Sequence, residues 1–296
     1  VADLGSGDEV VRAATLINLY EGLLAETGPG APQYLRELMN VVRREQNELV
    51  LDLALGQLRT IYWTLLPPGT REAFAPLLEQ TLWETMLRHI EPSKRKVLFE
   101  AYAGIALTAD GLERARAVWS GALSVDALSL AENDRIDIAQ SLAVRLPDEA
   151  EDIVELQVAR TENPDNLRKL GFIAPSLSAE PAVRDAFFAS LADEANRSTE
   201  SWVLDALANL HHPVRTDASE RYILPSLELL QEIQVTGDIF FPKRWLDATL
   251  GNYNSTSAAT TVRTFLEERP DYNAQLRMKI LQAADMLFRA NSIVAP

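Results

Sequence analysis

The sequence predicts an all-α chain, a superhelical solenoid of stacked antiparallel helix pairs. Breaks rich in Pro, Gly and capping residues recur about every 15–25 residues, close to half the period of an α-solenoid repeat. Between the breaks, apolar residues recur at helical spacing, whereas alternating runs bounded by hairpin turns are nearly absent. One two-helix unit is also legible in full at residues 161–193.

In that unit, Asn163 caps a helix, Pro164 occupies its first position and Asp165 sets an anion near the positive end of the dipole. The helix is expected to stop near Pro175, because the residue before a proline is pushed out of the α region. Pro181 starts the partner helix, with Val183, Phe187 and Leu191 on one face. A single hairpin cannot bury two such faces, so neighbours must cover them.

The remaining elements follow in order. Ser6 and Glu9 read as a capping box for a helix to about Ala25, broken by Gly28, Pro29 and Gly30. Pro32 opens the next. A long apolar segment carries Leu49, Leu53, Ile61, Tyr62 and Leu65 and ends at Pro67-Pro68-Gly69. Thr70 is expected to cap a helix bearing Phe74, Leu77, Leu78 and Met86, and Pro92-Ser93 to start another with Val97, Leu98 and Ile105. Thr108 and Gly111 mark a further start, Ser129 with Glu132 a second capping box, and Pro147-Asp148 one more boundary. Trp202, Val203, Ala206, Leu207 and Leu210 form a helix ending at His211-His212-Pro213. Pro225 should kink or divide the segment 216–234, Pro242 sits in a first turn, and 252–257 is a polar loop. Leu276, Ile280, Ala284 and Leu287 stripe the last helix. The repeats share no obvious consensus, so the HEAT- or armadillo-like reading rests on helix pattern alone.

Composition narrows the function. The 296 residues are 47% hydrophobic and 24% charged, a globular balance. At this length one round core stops growing, so either two domains or one elongated stack is expected, and the helix pattern favours a single elongated domain over 1–296. The net charge of −15, from 43 acidic against 28 basic residues, repels phosphate backbones, so no nucleic-acid partner is expected. The same charge reads first as a solvated acidic surface that favours solubility, with cationic ligands such as basic peptides as the alternative. With no cysteine, disulfides, Cys-ligated zinc and thiol nucleophiles are excluded. No apolar run approaches the roughly 18 residues of a membrane span, and residues 1–10 lack the pattern of a signal peptide.

No complete catalytic constellation is present. A zinc peptidase needs two histidines one helical turn apart, and His89, His211 and His212 do not have that spacing. Adjacent His211 and His212 would diverge by about 100° on a helix. Gly5-Ser6-Gly7 and Gly28-Pro29-Gly30 follow no strand and precede no Lys-Ser/Thr, and G-x-S-x-G is absent. The tryptophans at 63, 83, 119, 202 and 245 lie on separate segments, as core residues of hairpin interfaces would. Lys243 and Arg244, beside Phe240, Phe241 and Trp245, read as a helix start with its charges in solvent, the alternative being a cluster that faces a ligand groove. No catalytic, cofactor-binding or metal residue is therefore assigned.

Several segments together resemble the C-terminal helical domain of aminopeptidase N-type zinc metallopeptidases, the gluzincin aminopeptidases, and their bacterial branch above all. They are residues 12–24 (RAATLINLYEGLL), 45–63 (EQNELVLDLALGQLRTIYW), 161–178 (TENPDNLRKLGFIAPSLS), 202–215 (WVLDALANLHHPVR) and 237–250 (GDIFFPKRWLDATL). The resemblance implies a longer parent enzyme whose catalytic domain carries H-E-x-x-H, a zinc-binding Glu and an oxyanion-stabilising Tyr; none of these has a counterpart here. Zinc is accordingly expected in that catalytic domain and not in this chain. The implied role is to close over the catalytic domain of the same parent, with peptide substrate touching a concave face. The alternative is an independent helical scaffold that binds protein partners. The start at Val1 and not at methionine is read as that of a piece of a longer chain, and the compartment, cytoplasmic or periplasmic, is left open.

Overall fold

The computed structural model describes residues 7–294, and every regular element among them is helical. The chain divides into two compact units, residues 1–138 and 139–296. The first contains α1 (Glu9–Leu24), α2 (Ala31–Arg44), α3 (Glu48–Thr60), α4 (Pro68–Arg88), α5 (Pro92–Ile105) and α6 (Ala109–Ser120), and α7 (Glu132–Arg145) carries the chain into the second. There follow α8 (Ala150–Ala159), α9 (Pro164–Leu177), α10 (Pro181–Ser190), α11 (Glu200–Leu210), the single turn α12 (Thr216–Ser219), α13 (Ile223–Glu228) and α14 (Leu230–Thr236). The chain closes with α15 (Phe241–Leu250), α16 (Thr256–Glu267) and α17 (Ala274–Val294).

In the first unit helices pack on near neighbours in the chain: α1 meets α2 and α3, α2 meets α3 and α4, and α5 meets α3, α4 and α6. Tyr34, Leu35, Leu38, Leu58, Leu78, Leu82, Leu98 and Phe99 are buried there. In the second unit α9 lies against α8, α10 and α11, and α17 against α15 and α16, around Leu207, Leu227, Trp245, Val262 and Ile280.

Helix ends buried between neighbours leave backbone groups that water cannot reach, and these need partners. Carboxylates serve several N-termini. Glu79 Oε1 accepts from the N–H groups of Leu107 (2.7 Å) and Thr108 (2.9 Å) ahead of α6. A Cβ on Gly111 would collide with that carboxylate, which is why glycine stands in the first turn. Glu45 accepts from the N–H of Gln46 and of Asn47 ahead of α3 and pairs with Arg12 at 2.8 Å. Burial pushes the Glu45 carboxyl up, but the Arg12 guanidinium and these N–H groups outweigh it and hold the group below its usual value.

Guanidiniums serve the C-termini, from a recurring position. Arg71, Arg95, Arg184 and Arg277 are each the fourth residue of their helices, α4, α5, α10 and α17, and Arg197 is the fourth of the 3-10 turn Glu194–Arg197. Helical side chains lean back towards the N-terminus, so this position reaches across the turn to the last carbonyls of the preceding helix. Arg71 donates to the carbonyls of Tyr62 (3.1 Å), Trp63 (3.0 Å) and Leu66 (3.4 Å), Arg95 to those of His89 (2.5 Å) and Leu87 (3.4 Å). Arg184 donates to Ser178 and Ala179 (both 2.6 Å), Arg197 to Leu191, and Arg277 to Leu266 (3.0 Å).

Several local expectations need correction. Ser6 lies outside the described residues; Asp8 caps α1 by accepting from the Val11 N–H at 2.9 Å. Thr70 is inside α4, which starts two residues earlier because Pro68 takes the first position. Leu49 is 82% exposed, and Val50, Leu51, Ala54 and Leu55 form the buried face of α3. This helix passes into a single π-helical turn at Ile61–Leu65, entirely buried, whose end Arg71 satisfies. In place of the box from Ser129 to Glu132, the Asp134 carboxylate reaches back to the Ala131 N–H at 2.7 Å.

Candidate binding groove

The helix α9 starts as expected, with Asn163 Oδ1 accepting from the Asp165 N–H at 2.9 Å and Pro164 at the first position. It does not stop at Pro175. An interior proline removes one hydrogen bond and costs about 3 kcal/mol, yet α9 runs on to Leu177. Two facts account for this. Ile173, Ser176 and Leu177 are buried, so leaving the helix there would strip them of their packing. The carbonyls beyond the proline are taken by two arginines: Arg215 donates to Ser176 (2.8 Å) and Leu177 (2.9 Å), Arg184 to Ser178 and Ala179. Burial, and then the neighbouring Arg184 charge, lower Arg215 to about 10, so it stays cationic at neutral pH.

The extended α9 end, the start of α10 and the start of α8 enclose a groove of about 720 Å³ within the second unit. Its apolar lining is Val154, Ala174, Pro175, Leu177 and Val183, and its charged lining is Asp148, Glu151, Glu155 and Glu180. Val183 was expected to face the core with Phe187 and Leu191; it is instead 42% exposed in the groove, while the other two are buried. No Lys or Arg lines the groove; Arg184 and Arg215 lie beneath it, donating to the carbonyls of Ser176 to Ala179. That volume lies in the range of small-ligand and peptide pockets.

The histidines sit apart in function. His89 follows α4, with Nδ1 3.6 Å from Glu91. His212 Nδ1 accepts from the Val214 N–H at 3.3 Å. His211 is completely buried, its Nδ1 2.6 Å from the Tyr253 hydroxyl. Burial lowers His211 to about 3 and raises Tyr253. Both are therefore neutral at physiological pH, packed edge-on. Tyr222, also edge-on to His211, gives its hydroxyl to Asp185 at 2.5 Å. Among the described residues no group of three or more His, Cys, Asp or Glu is placed to hold a metal ion.

Trp63, Trp119 and Trp245 are core residues whose indole N–H groups donate to the carbonyls of Gly104, Arg135 and Ser226, while Trp83 and Trp202 are half-buried. Lys243 pairs with Asp247 and Arg244 is exposed; Phe241 is buried and Phe240 is not. Sequence reasoning missed the groove, because its lining comes from three elements that no linear pattern joins. It also missed the arginine device, although Pro68-Gly69-Thr70-Arg71, Pro92-Ser93-Lys94-Arg95 and Pro181-Ala182-Val183-Arg184 share a Pro-x-x-Arg pattern. No helix among the described residues is long and apolar enough to cross a membrane. In comparison with known proteins, the chain matches no family model and no curated protein.

Proposed function

We infer that the chain is a non-catalytic helical domain of a zinc aminopeptidase, stacked as a superhelix, that closes over the catalytic domain and limits which peptides reach it. The observation that supports this reading is the packing of helices on near neighbours in the chain, as α2 on α3 and α4, α3 on α1 and α5, and α9 on α8, α10 and α11, through the segments that resemble such domains. A stack of this kind offers broad surface without disturbing its own core. Its closure would exclude water and gate access, while zinc-activated water in the parent removes N-terminal residues. On this reading the chain itself holds no zinc, and the metal belongs to the parent's catalytic domain.

The test is the coding sequence immediately upstream of the codon for Val1. A continuous frame encoding H-E-x-x-H and a downstream zinc-binding Glu is expected; a frame that opens beside Val1 without them overturns the reading. In parallel, the purified chain should bind no stoichiometric zinc and leave aminoacyl anilides intact. The groove at α8–α10 favours a second reading, a helical scaffold that binds protein partners.

A further inference from the structure

We propose that the groove between α8 and the α9–α10 turn binds a peptide segment that alternates lysine or arginine with apolar side chains. The proposal goes beyond the aminopeptidase reading and stands whether or not a catalytic domain precedes this chain.

Charge complementarity selects the occupant. Asp148, Glu151, Glu155 and Glu180 line the groove with no cation among them, and none of them is in an ion pair or side-chain hydrogen bond. Elsewhere in this unit carboxylates do find cations, as Asp205 finds Lys169 and Asp185 finds Arg221. Asp148 and Glu151 flank the N-terminus of α8, where a helix dipole welcomes them. Glu180, at the N-cap position of α10, shares that reason although its side chain makes no capping bond; Glu155, in the second turn of α8, has no such local reason.

The apolar surface sets the second half of the specificity. Val154, Pro175 and Val183 are only partly covered, and Glu151 and Glu155, one helical turn apart, flank Val154. An extended peptide places alternate side chains on opposite faces, so apolar residues can lie on this floor while cationic ones reach the rim. An anionic peptide, or a phosphate, would meet the same carboxylates as repulsion.

The test is a fluorescence anisotropy titration of the whole chain with a fluorescein-labelled (Lys-Leu)₅ peptide, beside a (Glu-Leu)₅ control. Saturable one-site binding of the first, and none of the second, is expected. The variant Glu151→Gln/Glu155→Gln/Glu180→Gln should weaken binding at least tenfold, and Val183→Ser at least threefold. A variant with the same charge change at exposed sites outside the groove, Glu21→Gln/Glu72→Gln/Glu267→Gln, should weaken it less than twofold. All these positions are exposed, and an unchanged helical circular dichroism signal verifies the fold. Three results each overturn the proposal: no saturable binding, equal losses in the two triple variants, or binding of the glutamate peptide. Self-association that the groove triple abolishes would assign the groove to a second copy and overturn it equally.

Discussion

His211 shows what a buried titratable side chain costs when it has one partner. Its folded-state value of about 3 lies below the unfolded value near 6.5, so between those limits the unfolded chain binds a proton that the folded chain refuses. Stability is fully present above the unfolded value and drains as pH falls, by about 1.4 kcal/mol per pH unit well inside that window. Urea denaturation at pH 7 and pH 5 should show a drop of about 2 kcal/mol that His211→Gln removes. Tyr253→Phe deletes the only hydrogen bond of the imidazole and should cost about 1–3 kcal/mol at pH 7, read in the same denaturation series. A comparable dependence on one atom holds at Gly111, where a methyl group meets the Glu79 carboxylate. Gly111→Ala should lower stability by about 1–3 kcal/mol in thermal or urea melts. The sequence announced Gly111 as part of a helix start but not its reason, because Glu79 lies on another helix.

At the level of the element, this chain shows how helix termini are satisfied when neighbours bury them. Arg215→Leu strands the carbonyls of Ser176 and Leu177, and should cost about 2–4 kcal/mol. Hydrogen exchange should then quicken first in the last turn of α9, beyond Pro175, and Arg184→Leu should act on the same turn. Helix boundaries were mostly legible, since Pro at the first position and Asn, Asp or Thr caps act within a few residues. The end of α9 was not, because packing of Ile173 and Leu177 and a guanidinium from 38 or 39 residues away outweigh the local preference of a proline. Leu49 misled for the mirror reason: periodicity says which residues share a face, not which face is covered.

Over the whole molecule, the excess of negative charge is the property most open to measurement. Repulsion among the acidic residues opposes the compact state, and salt screens it within about 10 Å at 0.1 M. Raising sodium chloride from about 10 to about 150 mM should therefore raise the melting temperature, by about 2 °C or more. The all-helical class was legible from turn chemistry and spacing, whereas the groove was not: Glu151, Pro175 and Val183 become neighbours only once α8, α9 and α10 are packed. The arginines at fourth positions carry one last consequence. Each reaches backbone 5 to 11 residues behind it, and Arg95 also the Asp126 carbonyl 31 residues ahead, so the fastening of most of these turns is local to the hairpin it closes. Cuts made through a clasped turn are therefore the ones the fold should tolerate least, because they part a guanidinium from the carbonyls it closes.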